Sequence, residues 1–143
     1  MLIKGYISFS SGLLLTLLVL THCGERPNDP NEGKSLMGSW HWVKSCGGLN
    51  GNCITPDSVG YDKLVIISQD SIYSEYHDDS LIIQKKFTVE KREWIVNHTM
   101  MDALLIDSWY TDMIIIFYSN DTLTLNENCS DCFDHTYVKL GPI

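Results

Sequence analysis

Residues 112–126, DMIIIFYSNDTLTLN, carry the clearest fold signal in the chain. The first eight residues are mostly β-branched or aromatic, which favours a buried strand. Asn120 and Asp121 supply a two-residue turn, and residues 122–126 then alternate threonine with leucine. The stretch therefore predicts a β-hairpin that turns one face of its second strand toward a core.

The same pattern of short strands and turns extends over most of the chain. Because the connections are short, sequential strands are expected to pair antiparallel, and because open sheet edges invite aggregation, the sheet must close or pair with another. We therefore expect an all-β fold: an antiparallel up-and-down β-barrel of about eight strands, with a β-sandwich as the alternative. The predicted strands cover residues 38–45, 63–68, 71–77, 81–89, 93–98, 112–119, 122–126 and 134–140, while residues 99–108 give no clear pattern.

The first 22 residues indicate an export signal. Lys4 precedes an uncharged run, GLLLTLLVL at residues 12–20, which is too short to span a bilayer. The run leads into Leu20-Thr21-His22-Cys23, which resembles the lipobox of bacterial lipoproteins, although His22 replaces the usual small residue. The resemblance implies cleavage before Cys23 and acylation of its thiol. We divide the chain into a signal peptide at residues 1–22, a flexible polar tether at 23–35 and a barrel domain at 36–142.

Charge and the lipobox together define the expected partners. The chain has 10 Lys and Arg against 18 Asp and Glu, and loss of Lys4 with the signal leaves nine basic residues. A surface this acidic repels nucleic acid and anionic lipid, so the membrane is contacted through acylated Cys23 alone. Gly24 is not the aspartate that retains enteric lipoproteins in the inner membrane. The resemblance therefore implies a lipid-anchored protein of the bacterial cell envelope, in the outer membrane rather than the inner.

The barrel domain also resembles a known family. Gly38-Ser39-Trp40 resembles the G-x-W signature of lipocalins, and Thr111-Asp112 loosely resembles their T-D-Y turn, with Met113 replacing the tyrosine. Residues 36–140 are similar to the small lipocalin-like lipoproteins of gram-negative bacteria. Their W-x-W…GG…TP opening and D-T-L-x-L…D…Y-x-K closing run are matched by Trp40, Trp42, Gly47, Gly48, Thr55, Pro56, Asp121–Leu125, Asp131, Tyr137 and Lys139. The resemblance implies a calyx-shaped barrel that binds a small apolar molecule.

Barrel closure predicts a contact between Trp40 and Lys139 independently of the family resemblance. The first and last strands of a closed barrel pair, so the start of the first lies near the end of the last. We expect the Lys139 ammonium over the Trp40 indole, a contact that contributes roughly 0.5–1 kcal/mol when exposed. A plain core tryptophan with a solvated lysine elsewhere is the alternative.

The four cysteines other than Cys23 are expected to form disulfides. A thioredoxin-type CxxC needs a helix N-terminus, and a zinc site is less common than disulfides in exported proteins. Local pairing joins Cys46 to Cys53 and Cys129 to Cys132. Crossed pairing of the first strand with the last, Cys46 to Cys132 and Cys53 to Cys129, is equally compatible with barrel closure.

If the barrel has the calyx that the resemblance implies, strand parity indicates which side chains line it. Trp42, Tyr76 and Trp94 have parities compatible with an inward face, and the mouth is expected where the long segment 46–61 leaves the first strand. Lys85 shares the apolar parity of its strand, so it either neutralises a ligand carboxylate or lies at a bulge or rim.

No pattern of catalytic or cofactor-binding residues emerges. The histidines are scattered over different strands, and no serine has a His/Asp context. We expect no enzymatic activity, no metal and no cofactor. The alternative function is an interaction module whose filled barrel docks to another envelope protein, and cavity volume distinguishes the two.

Overall fold

The computed structural model describes residues 34–141, which form a closed antiparallel barrel. Eight strands close through pairing of the first with the last, and one short extra strand pairs with the end of the first. The all-β prediction and the barrel are confirmed. The elements are β1 (Gly38–Gly47), β2 (Asn52–Ile54), α1 (Pro56–Val59), β3 (Lys63–Ile67), β4 (Ile72–His77), β5 (Ser80–Trp94), β6 (Thr99–Ile106), β7 (Met113–Ser119), β8 (Thr122–Glu127) and β9 (Phe133–Lys139).

The predicted signal peptide, Cys23 and the tether as far as residue 33 lie outside the described residues. Within residues 34–141, no helix is long and apolar enough to cross a bilayer.

The core consists of the apolar side chains that alternate inward along the strands. Burial of such side chains, at roughly 25 cal/mol per Å², is the main favourable term for folding. Leu36, before β1, joins this core, and its carbonyl accepts a hydrogen bond of 2.8 Å from the Trp40 indole nitrogen. The core residues include Trp40, Trp42, Val65, Ile67, Tyr73, Phe87, Leu104, Ile106, Met113, Ile115, Phe117, Leu123, Leu125 and Tyr137.

Closure of the barrel brings Trp40 directly opposite Lys139 in the β1–β9 ladder. The Lys139 ammonium lies 5.1 Å from the indole centroid, which is the arrangement that barrel closure predicts. Trp40 is fully buried, so the lysine covers the outer edge of a core side chain.

A β-bulge in β1 changes which residue of that strand faces inward. Regular alternation after Trp42 points to Lys44, but the register with β9 shifts between these two residues. The extra residue, Val43, makes Ser45 the next buried side chain and leaves Lys44 exposed.

β5 is longer than the sequence indicates, and β6 lies where the sequence pattern is unclear. The charged pair Lys91-Arg92 reads as a break, yet β5 continues through it to Trp94. Both side chains are exposed and ion-paired, with Lys91 Nζ 3.0 Å from Asp102 and Arg92 Nη2 3.0 Å from Glu90. A strand with solvated charges on its outer face shows little apolar periodicity, which explains why the sequence divided β5 into strands 81–89 and 93–98, the second of which is wrong beyond Trp94.

The disulfides follow the local pattern, Cys46–Cys53 and Cys129–Cys132, and the crossed alternative is wrong. Cys46 and Cys53 lie directly opposite each other in the β1–β2 ladder. The sequence did not predict β2, and without it the two pairings had equal geometric support. Closure does bring the second pair nearby, since Gly47 pairs with Phe133.

Candidate functional site: a polar-ended cavity in the barrel

A cavity of about 310 Å³ occupies one end of the barrel interior. This is the end at which β1 leads into the long segment toward β3, so the cavity lies where the sequence predicts a mouth. The connection between β6 and β7 also contributes a wall, which the sequence did not indicate. The lining residues are Lys63, Tyr73, Glu75, Ser108, Trp109, Tyr110, Met113, Glu127, His135 and Tyr137.

Lys63, the first residue of β3, supplies the cavity's cation. Its Nζ lies 4.7 Å from the centroid of the buried Trp42 ring. Burial lowers the pKa of Lys63, and the charges of Glu75 and Glu127 oppose that effect. Among the described residues, no oxygen lies within hydrogen-bond or ion-pair distance of this ammonium. Its donors are therefore available to the cavity.

Glu75 on β4 is a buried carboxylate that neighbouring side chains satisfy. It is 8% exposed, and its two oxygens lie 3.1 Å from the Tyr73 hydroxyl and 2.7 Å from His77 Nε2. The His77 ring stacks on Tyr61 with centroids 4.0 Å apart, which fixes its position. Burial raises the pKa of Tyr73, and the neighbouring Tyr137 and Glu75 raise it further. Tyr73 therefore stays a neutral hydrogen-bond donor.

Glu127 at the end of β8 is the second carboxylate, and it is also satisfied. Its Oε1 accepts a hydrogen bond of 3.2 Å from the Tyr110 hydroxyl, and its Oε2 accepts one of 3.1 Å from the Phe133 amide. His135 Nε2 lies 3.4 Å from Oε1. Glu127 therefore joins the β6–β7 connection to the start of β9.

His135 on β9 is held in one tautomer by a chain of hydrogen bonds. The Trp42 indole nitrogen donates to Ser45 Oγ at 2.8 Å, and Ser45 Oγ lies 2.6 Å from His135 Nδ1. Because the indole only donates, the serine proton is free to point at Nδ1, which leaves the proton of the ring on Nε2, facing Glu127. Burial lowers the pKa of His135, and the positive charge of Lys63 lowers it further. The ring is therefore neutral near pH 7.

Ser45, His135 and Glu127 lie in a row and have the residue types of a hydrolytic triad. Their geometry, however, does not place the serine hydroxyl where it could attack a bound molecule. Ser45 is 1% exposed and is absent from the cavity wall. Its oxygen already accepts the indole hydrogen bond. The arrangement orients His135 rather than delivering a serine oxygen to a bound molecule.

No family model, no curated protein and no solved structure matches this chain. The eight-stranded antiparallel barrel is compatible with a lipocalin-like fold.

None of the four predicted ligand-binding residues, Trp42, Tyr76, Lys85 and Trp94, lines the cavity. Trp42 lies beneath the Lys63 ammonium but does not line the wall. Tyr76 is half-buried and does not line the cavity. Lys85 is exposed and does not line the cavity, and Trp94 is half-buried at the far end of β5.

A sequence signal for the polar lining did exist. Glu75 shares the parity of Tyr73, and Glu127 continues the alternation of Leu123 and Leu125. A charged residue on a core-facing parity at a strand end is the pattern expected of a cavity mouth. Only Lys85 was predicted to point a charge into the barrel.

Glu127, Cys129 and Cys132 form a group whose potential metal-ligating atoms lie within 4.8 Å of one another. Both cysteines are joined in a disulfide, so neither offers a thiolate. In this oxidised form the group is not a metal site.

Proposed function

We propose that this protein is a lipid-anchored lipoprotein of the bacterial cell envelope whose barrel binds or carries a small molecule. The observation that carries the proposal is the cavity of about 310 Å³ inside the barrel. An eight-stranded barrel either fills with side chains or keeps room for one ligand, and the volume at one end of this barrel supports the second possibility. The volume lies at the lower end of the usual range for small-molecule sites.

The lining gives the ligand two parts. Trp109, Met113 and the tyrosine rings supply apolar walls, as a lipocalin-like carrier requires. Lys63, Glu75 and Glu127 add a polar end, so the apolar ligand expected from the sequence also bears a polar group. We propose a non-enzymatic role, because the serine that contacts a histidine in the described part of the chain, Ser45, has its hydroxyl buried.

The binding proposal is tested by native mass spectrometry of the full chain purified from envelopes. We expect a co-purifying small molecule in the unaltered protein. Trp109→Asp, which adds a third carboxylate to the cavity wall, should lose it. Val96→Asp is the matched control, because Val96 is 71% exposed.

The absence of any bound molecule, together with a protein cross-linked in envelopes, would instead favour a docking module. The exposed apolar side chains of Ile95, Val96 and Met100, around the β5–β6 turn, are the surface that such a partner would cover.

Anchoring rests on the sequence before the barrel. Lys4, the apolar run at 12–20 and Cys23 follow the order of a lipoprotein signal, and two disulfides suit an exported protein. We expect Cys23→Ser to abolish incorporation of labelled palmitate and to leave the leader uncleaved at that point. Thr16→Ser, inside the apolar run, is the control and should be labelled normally. Unchanged labelling of the Cys23 variant would refute the anchor.

A further inference from the structure

Of the charged groups that line the cavity, the Lys63 ammonium is the one without a hydrogen-bond acceptor among the described residues. Glu75 already interacts with Tyr73 and His77, and Glu127 accepts hydrogen bonds from Tyr110 and the Phe133 amide. The three N–H donors of Lys63 have no oxygen partner among the described residues. A ligand that enters the cavity displaces water from this ammonium, and the lost hydration has to be replaced by an acceptor on the ligand. The group that completes this site is therefore an oxygen acceptor on the ligand.

The charges of the cavity decide which kind of oxygen fits. Lys63 is positive, Glu75 and Glu127 are negative, and all three line the same cavity. With His135 neutral, the wall already carries one excess negative charge, so an anionic ligand would meet two carboxylates. A cationic ligand would meet the Lys63 ammonium and find both carboxylates occupied. A neutral acceptor, such as a carbonyl or hydroxyl oxygen, avoids both penalties.

The rest of the wall suits a flat apolar body. Trp109 is half-buried and contacts the edge of the Tyr73 ring at a centroid distance of 5.6 Å. Tyr137 on β9 and Met113 on β7 add apolar surface to the same cavity. Aromatic walls favour planar groups, which stack on one ring or meet another edge-on.

We propose that the cavity selects neutral small molecules that present a carbonyl or hydroxyl oxygen to Lys63 and a planar apolar group to Trp109. This inference rests on the proposed binding function and adds the chemical class of the ligand.

The test uses three probes of the same size that differ in charge: benzamide, benzoate and benzylammonium. Each is titrated into the full chain, and dissociation constants are taken from backbone amide NMR shifts. We expect benzamide to bind at least about tenfold more tightly than either charged probe, with shifts centred on Lys63 and Trp109.

Two lysine variants separate a specific contact from a general charge effect. Lys63→Met keeps the apolar stem and removes the ammonium, so benzamide affinity should fall about tenfold, as expected for the loss of a hydrogen bond to a charged donor. Lys85→Met removes the charge of an exposed lysine and should leave that affinity unchanged. Equal effects of the two variants would overturn the assignment to Lys63.

The outcomes also separate this inference from the binding function. If benzoate or benzylammonium binds most tightly, the cavity still binds small molecules but the charge class is wrong. If none of the probes shifts a cavity residue, and no molecule co-purifies with the protein, the binding function itself is refuted. If benzamide binds most tightly and Lys63→Met weakens its binding, the result supports both the binding function and the proposed ligand class.

Discussion

Single residues at the polar end of the barrel show how charges are kept inside a small core. Glu75 and Glu127 are held by tyrosine hydroxyls, a backbone amide and histidine rings. A buried carboxylate left without such partners costs several kcal/mol, so each neighbour is part of the fold as well as of the cavity. Two contacts fix the position of Trp42: its ring lies under Lys63, and its indole nitrogen donates a hydrogen bond to Ser45.

His135 makes the free energy of unfolding depend on pH. Its folded pKa lies below the ordinary value of 6.5, so the unfolded chain takes up a proton at higher pH than the folded protein does. Stability is therefore complete above about pH 7 and falls as the pH drops through 6.5 toward the folded pKa. We expect His135→Gln to reduce the loss of stability between about pH 7.5 and pH 5.5, measured by urea unfolding. An identical pH dependence in the variant would show that the histidine is not held neutral.

At the scale of elements, the sequence predicts strands where apolar alternation is regular and misses them where it is not. The hairpin of residues 112–126 is found as β7 and β8, and the gap between the predicted strands 71–77 and 81–89 is found as a turn with Asp78 and Asp79 at positive φ. The inward place of Ser45 was missed, because a one-residue bulge is invisible to parity. β6 was missed because its exposed positions include Met100, so polarity does not alternate along it.

The seam between β1 and β9 leaves no room for a side chain at Gly47. A Cβ at this position would lie 2.9 Å from the Phe133 Cα and would overlap the Cys132 carbonyl, both of them backbone atoms. Because the backbone must shift, we expect Gly47→Ala to lower the free energy of unfolding by about 1–3 kcal/mol or more. Gly141→Ala, where a Cβ meets nothing within 4 Å, is the control and should be neutral. Equal stabilities of the two variants would show that the seam is looser than the structure indicates.

For the whole molecule, the short connections predicted an antiparallel meander that closes or pairs with a second sheet, whereas the grouping of the cavity's side chains required coordinates. Short turns force neighbouring strands to pair, and an all-antiparallel meander of this length has few ways to hide its edges. The position of the cavity depends on where the side chains of opposite strands do not pack against each other. Lys63, at the start of β3, and His135, on β9, lie in one wall only because the barrel brings the ends of distant strands together. No local pattern contains that information.

The barrel is closed least firmly between β6 and β7. In the described chain these strands pair only at Ala103–Ile114 and Leu104–Met113, whereas β8 pairs along its length with β7 on one side and β9 on the other. The β6–β7 connection also supplies Ser108, Trp109 and Tyr110 to the cavity wall. Elements with few backbone hydrogen bonds open locally at low free energy, and ligand-binding loops are drawn from that class.

We therefore expect the cavity to open between β6 and β7 without unfolding of the barrel. In native-state hydrogen exchange followed by mass spectrometry, peptides from 99–106 should exchange at least about tenfold faster than peptides from 122–127, after correction for intrinsic rates. The β8 peptide is the internal control, because it lies between two fully paired neighbours. Equal protection of both peptides would mean that the barrel opens as one unit, so that ligand entry requires a global fluctuation. Faster exchange confined to 99–106 and the adjoining 107–112 connection places the entry path beside Trp109, on the wall that contacts the ligand's planar group.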